Sequence, residues 1–344
     1  MTTTYGSVIF ADHVPTESAE AVRRLEAAGY VNVGKTNLHE FAFGVTSMNP
    51  HFGWVPNPLA PGRIAGGSSG GSAAALVAGL ADAALGSDSG GSIRIPAAFC
   101  GIVGFKPTFG LVSLDGCWPL SPTYDHAGPM ARDVATCAAM MQILADGFAP
   151  TTVALGDLRV GLAWTGEAQP GVRARVEAAA GLFPHCEPLD FPHGQGHIRV
   201  FMHEVGEVHG SLFAEHTDDY GEDVAWKLRE LCFPVTDSEL AEAKRAREAL
   251  RDEAEQLLEG FDLLLTPTQA LVAPTYEAAG NDGLRPNITR FTNPFNALGW
   301  PALALPCGAA EEGLPASVQI VGRPGADALV LAAGLALEKS LLTL

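Results

Sequence analysis

Gly66-Gly67-Ser68-Ser69-Gly70-Gly71-Ser72 and Asp88-Ser89-Gly90-Gly91-Ser92-Ile93-Arg94-Ile95-Pro96 are two serine clusters in a stretch, residues 56–116, that is rich in Gly, Ser, Ala and Pro. That composition permits tight backbone and close approach to a ligand. The first cluster runs into Ala73-Ala74-Ala75-Leu76-Val77-Ala78, a strong helix former, so its N–H groups and the positive end of a helix dipole face whatever binds there. In the second, consecutive glycines before Ser92 let successive N–H groups converge on one point, as an oxyanion hole requires. A flexible linker would not be followed by an alanine-rich helix and the apolar run 93–99. A phosphate-binding loop needs Gly-Lys-Ser/Thr, and no lysine lies between Lys35 and Lys106. Residues 66–70 also satisfy the G-x-S-x-G elbow of α/β-hydrolase esterases, but that elbow follows a strand and residues 58–63 do not read as one.

Outward from this segment, helix and strand patterns alternate. Val22, Leu25 and Ala28 stand at helical spacing before Gly29, and residues 31–34 read as a strand. A helix is expected from Asp133, a good N-cap, to Gly147, then a strand over 158–164. Residues 166–260 are more charged and helical, ending in a long helix that opens with the capping box Thr236-Asp237-Ser238-Glu239. Leu263-Leu264-Leu265, Ala302-Leu303-Ala304-Leu305 and residues 318–321 read as buried strands, and residues 326–339 as an apolar helix. The alternation implies an α/β architecture around one main sheet.

With 344 residues and 47% hydrophobic content the chain can bury a large core. Acidic residues outnumber basic ones 39 to 21, and a net charge of −18 repels phosphate backbones, so no nucleic-acid partner is expected. Six scattered cysteines without a CxxC pair suit a reducing cytoplasm. No apolar stretch reaches the roughly 18 residues of a membrane span, and the N-terminus has no secretory-signal pattern.

The two serine clusters, with Ser92 placed 24 residues after Ser68, then Pro96-Ala97 and Gly104-Phe105-Lys106-Pro107-Thr108, resemble the amidase signature family of serine hydrolases. Gly34-Lys35-Thr36-Asn37 with Glu40-Phe41, Asp125, Gly128-Pro129, Leu265-Thr266-Pro267-Thr268, Asn293-Pro294-Phe295-Asn296 and Gln319-Ile320-Val321-Gly322-Arg323-Pro324 extend the likeness over nearly the whole chain. The resemblance implies a single α/β domain over residues 1–344, a mixed central sheet covered by helices on both faces, with 150–260 as a variable, mostly helical insertion. It also implies a Ser-Ser-Lys triad. Ser92 is then the nucleophile, and Ser68, preceded by a cis peptide bond, relays its proton to a lysine. The N–H groups of Ser89, Gly90, Gly91 and Ser92 would hold the oxyanion, with Asp88, Arg94 and Ser69 in support. A serine hydroxyl needs such a base at neutral pH, and a buried neutral lysine can serve.

The family's lysine lies in a Lys-Asp-Asn-like motif upstream of Gly-Lys-Thr-Asn, and nothing here matches it. By the family's spacing it falls shortly before Met1, so the chain is expected to be N-terminally incomplete and a weak hydrolase by itself. Its five lysines are Lys35, Lys106, Lys227, Lys244 and Lys339, of which only Lys35 and Lys106 are near in sequence. The histidines offer no metal site, since His203-Glu204-Val205-Gly206-Glu207 lacks the second histidine of H-E-x-x-H. No cofactor is expected. The expected activity is hydrolysis of a small-molecule carboxylic amide by a protein that engages no membrane and has room for homodimer formation. The alternatives are the glutaminase component of a tRNA-dependent amidotransferase, an inactive binding or assembly module, and an esterase using the 66–70 elbow.

Overall fold

A computed structural model describes residues 1–280 and 284–343. Eight strands form one mixed sheet in the order Ala83–Ser87, Ala127–Ala131, Val103–Lys106, Ala302–Ala309, Pro315–Val321, Leu263–Pro267, Arg159–Leu162 and His185–Pro188. Every neighbouring pair is antiparallel except the last two, in which Arg159–Leu162 runs parallel to both Leu263–Pro267 and His185–Pro188.

The apolar strands are buried on both faces, and the alternation of side chains divides each one between two cores. Leu263, Leu265, Leu303 and Leu305 point into a core built with Val134, Cys137 and Met141 of helix Val134–Leu144, Val172 and Val176 of helix Pro170–Ala180, and Val330 and Leu337 of helix Asp327–Leu341. Leu264, Ala302 and Val321 face a second core shared with Val200, Phe201 and Val205 of helix Ile198–His216 and Leu250 and Ala254 of helix Asp237–Leu257. Ala304 joins a third, smaller core with Ala73 and Leu76 of helix Gly70–Val77 and Ala97 of helix Arg94–Cys100. The two helices that follow the serine clusters therefore share the sheet face on which the helical layer is stacked.

Local signals set several boundaries. Asp133 accepts a hydrogen bond from Thr136 N as an N-cap, and the Thr236–Glu239 capping box opens the long helix Asp237–Leu257. Three expectations are corrected. Residues 31–34 form no strand: Val31 and Val33 are 83% and 74% exposed, and the segment pairs with no strand among the described residues, so its β-propensity has nothing to act on. Residues 60–64 do form one, Ala60–Ile64, but it pairs across an irregular register with Pro56–Asn57 in a ribbon outside the main sheet. Of the expected 150–260 insertion, the strands Arg159–Leu162 and His185–Pro188 belong to the main sheet, and helix Pro170–Ala180 packs on it. The helical layer itself begins at Ile198. All six cysteines are free, and no helix among the described residues is long and apolar enough to cross a membrane.

Leu264 is fully buried on the layer side of its strand. Leu264→Ala should cost about 2–5 kcal/mol in urea unfolding, because the central strand cannot collapse into the cavity left behind.

Candidate active site

The strand Ala83–Ser87 delivers the chain to Asp88, and the backbone then wraps around that residue's carboxylate. Asp88 Oδ1 accepts from Gly91 N at 2.8 Å, Arg94 Nη2 at 2.9 Å and Asn296 Nδ2 at 2.9 Å, while Oδ2 accepts from Arg94 Nε at 3.0 Å and Ile93 N at 3.2 Å. Arg94 reaches the C-terminal third of the chain with its remaining donors: Thr292 O at 3.0 Å, Gln319 Oε1 at 2.8 Å and Asn296 Oδ1 at 2.7 Å. Both partners are fully buried. Burial alone would raise the Asp88 pKa, but the Arg94 charge and hydrogen bonds outweigh it and hold the carboxyl well below its ordinary range.

Two further contacts stitch the serine clusters together. Ser69 N donates to Ser92 O at 3.2 Å, and Ser69 Oγ bonds both Ser87 O and Ser87 N at 3.3 Å. The Gly67–Ser68 peptide is cis. Its far carbonyl, Ser68 O, accepts from His39 N at 3.2 Å and from Ser47 Oγ at 3.1 Å, and Ser47 Oγ accepts from Gly70 N at 3.2 Å. A Cβ at Gly70 would lie 2.5 Å from Ser47 Oγ, which is why the run is glycine there. Gly91 combines φ +130° with Thr292 Oγ1 2.2 Å from where a Cβ would sit.

Ser92 is 6% exposed and Ser68 1%, and Ser68 Oγ has no hydrogen-bond partner among the described residues. Of the four N–H groups expected to face an oxyanion, that of Gly91 is taken by Asp88. The N–H groups of Ser89, Gly90 and Ser92 make no hydrogen bond among the described residues and remain available. Ser89 Oγ is held by Asp125 Oδ1 at 2.5 Å.

No lysine bonds Ser68 Oγ among the described residues. Lys35 is exposed and donates to Thr3 Oγ1, and Lys244 and Lys339 lie on helices, away from the serines. Lys227 donates to Phe43 O at 2.7 Å and Asp223 Oδ2 at 2.8 Å. Lys106 is fully buried with Nζ on Pro107 O at 3.0 Å, and burial, reinforced by Arg94, pushes its pKa well down. His126, beside the expected Asp125, directs Nδ1 to Tyr124 O at 2.7 Å, with burial holding it neutral. His209 is buried, with Nδ1 against Tyr220 OH at 2.9 Å. No cluster of metal-ligating residues occurs among the described residues. Sequence reasoning assigns no role to Ser47, Thr292, Asn296 or Gln319. Asn296 and Gln319 lie in family motifs, but their distance along the chain conceals their shared partner.

Arg94→Met leaves the Asp88 carboxylate buried and unpaired and should cost about 3–5 kcal/mol at pH 7 in urea unfolding. The deficit should shrink as pH falls, beginning above the ordinary carboxyl value of about 4, because burial without Arg94 raises the Asp88 pKa. The depressed Asp88 pKa stabilises the wild type only above the unfolded value and fades with acid, whereas in the variant the stranded carboxylate becomes neutral there.

The family model described as Amidase matches residues 1–177 and 201–331. The A-subunit of the glutamyl-tRNA(Gln) amidotransferase of Synechococcus sp. (strain RCC307) is 35% identical over 93% of this chain and 76% of that protein. AtzE, the 1-carboxybiuret hydrolase subunit of Pseudomonas sp. (strain ADP), is 34% identical over 98% of this chain and 79% of that one. A crystal structure of an amidase superimposes with a TM-score of 0.91 at 39% identity, covering 99% of this chain and 81% of the other. With its mixed sheet, paired serine clusters and near-complete match, the chain belongs to the amidase signature family of enzymes acting on amide C–N bonds.

Proposed function

We propose that this chain hydrolyses a small carboxylic amide through an acyl-enzyme on Ser92. The observation that carries the reading is the loop 88–94, which is wound around Asp88 and leaves the N–H groups of Ser89, Gly90 and Ser92 itself uncommitted. Ser92 Oγ attacks the carbonyl carbon while its proton leaves toward Ser68 Oγ. The carbonyl oxygen, now an anion, settles among the N–H groups of Ser89, Gly90 and Ser92, each well-placed donor contributing on the order of 3 kcal/mol. Collapse of this intermediate breaks the C–N bond, the amine leaves with a proton, and water then cleaves the ester to release the acid.

The acceptor beyond Ser68 is the one role that no lysine among the described residues fills by hydrogen bonding. Turnover by this chain alone is accordingly slow. Lys35 donates to Thr3 Oγ1 and makes no hydrogen bond to Ser68 Oγ, so this reading assigns it no part as the base.

A second reading is the glutaminase half of an amidotransferase, favoured by the 35% identity to a protein of that name. Glutamine would then be the amide hydrolysed, and the ammonia would pass to partner proteins. Glutamine turnover that rises only when such partners are added would select this reading over the free-standing amidase.

A serine-reactive phosphonate should label Ser92, and Ser92→Ala should abolish both labelling and the slow release of acid from a simple amide, as measured by mass spectrometry and ammonia assay. Lys35→Ala should leave that slow rate unchanged. Fast turnover abolished by Lys35→Ala would make Lys35 the base and overturn the assignment.

A further inference from the structure

The helical layer grips the loop beneath the oxyanion site from two helices. Glu204, on helix Ile198–His216, accepts from Ser121 Oγ at 2.7 Å, Thr123 N at 3.0 Å and Thr123 Oγ1 at 2.6 Å. Arg247, on helix Asp237–Leu257, donates to Thr123 Oγ1 and Thr123 O, both at 2.7 Å, and its guanidinium lies 4.1 Å from the centre of the Tyr124 ring. Ser121 N donates in turn to both oxygens of Asp125 at 3.1 Å, and Leu120 N donates to Oδ2 at 2.8 Å. Asp125 Oδ1 accepts from Ser89 Oγ at 2.5 Å.

Contacts therefore run without a break from Glu204 through Ser121 and Asp125 to Ser89, whose N–H is one of the three left for the oxyanion. Amide hydrolysis through Ser92 makes no direct use of Glu204. Yet Glu204 satisfies three donors of a short loop that carries no regular structure to hold it. Hydrogen bonds to an ionised acceptor are the stronger and shorter kind, well suited to fixing such a loop.

We propose that Glu204 is a positioning residue for amide hydrolysis, fixing the 120–125 loop so that Asp125 holds Ser89, and with it the oxyanion-binding backbone, in place. The inference rests on Ser92 being the nucleophile. It also carries an electrostatic consequence. Asp125 faces Ser89, the N–H groups of Leu120 and Ser121, the charge of Glu204 with Arg247 behind it, and the Cys117 thiol. Burial raises the Asp125 pKa against the pull of those hydrogen bonds, and the Glu204 charge pushes it the same way as burial. A protonated Asp125 accepts less well from Ser89, so activity falls as pH drops through the Asp125 pKa. Removing the Glu204 charge lowers that pKa and moves the acid limb to lower pH.

The test is kcat, KM and the kcat–pH profile of Glu204→Ala and Glu204→Gln on a small amide, with a crystal structure of Glu204→Ala. Losing a whole oxyanion donor costs about 100- to 1000-fold, so displacing one should lower kcat of Glu204→Ala about tenfold with KM within about twofold. Glu204→Gln keeps an acceptor oxygen and should recover most of kcat, while both variants shift the acid limb downward. The crystal structure should show the Ser89–Asp125 hydrogen bond lost. Unchanged kcat with an unmoved profile, or a Glu204→Ala structure that keeps the Ser89–Asp125 bond, would overturn the proposal. Turnover that survives Ser92→Ala refutes the nucleophile assignment instead, and the crystal structure then decides the role of Glu204.

Discussion

The buried pair of Asp88 and Arg94 is the constraint on which the rest of the site depends. A carboxylate and a guanidinium removed entirely from water are tolerated only when every hydrogen-bonding position is met, and meeting them recruits the site around them. The Asp88 oxygens draw in the N–H groups of Gly91 and Ile93, which bends the loop so that the neighbouring N–H groups of Gly90 and Ser92 point elsewhere. Arg94 reaches Thr292, Asn296 and Gln319, so the N-terminal serine segment, helix Asn293–Leu298 and strand Pro315–Val321 close on a single charge pair. Ser92 sits between the two members of this pair in sequence, and its surroundings inherit their rigidity.

The sheet explains how residues so far apart come to meet. Antiparallel pairing sets Val103–Lys106 beside Ala302–Ala309, and that strand beside Pro315–Val321, which carries Gln319. Helix Arg94–Cys100 lies against both of the latter strands, so Arg94 at its start faces Gln319 directly. On the same side, the helices beginning at Ile198 and Asp237 contribute Glu204 and Arg247, whose hydrogen bonds hold the 120–125 loop under Ser89. A layer that looks like an appendage in sequence therefore braces the loop that holds Ser89.

Much of this is legible along the chain. The capping box at Thr236, the N-cap at Asp133 and the apolar runs at 263–265 and 302–305 are local signals, and local physics answers them with the expected elements. The segment at 31–34 departs from its strand pattern because strand propensity is an offer to pair, and exposed Val31 and Val33 have no pairing strand among the described residues. The strand Ala60–Ile64 escapes sequence reasoning for the opposite reason: its Pro-Gly content reads as a turn, yet a short irregular ribbon accommodates it.

At the site, sequence alone determined the residue types: glycines where a Cβ would strike Ser47 or Thr292, two serines at their spacing, and an acidic and a basic residue flanking the loop. The residue types are written in adjacent letters, although the side chains that demand glycine at 70 and 91 come from distant segments. Only the tertiary structure decided that Gly91 gives its N–H to Asp88, that Ser68 Oγ is buried without a partner among the described residues, and that Glu204 stands behind Asp125. Each of these depends on which groups compete for one donor or acceptor in space, and that competition is settled by packing between segments up to some two hundred residues apart.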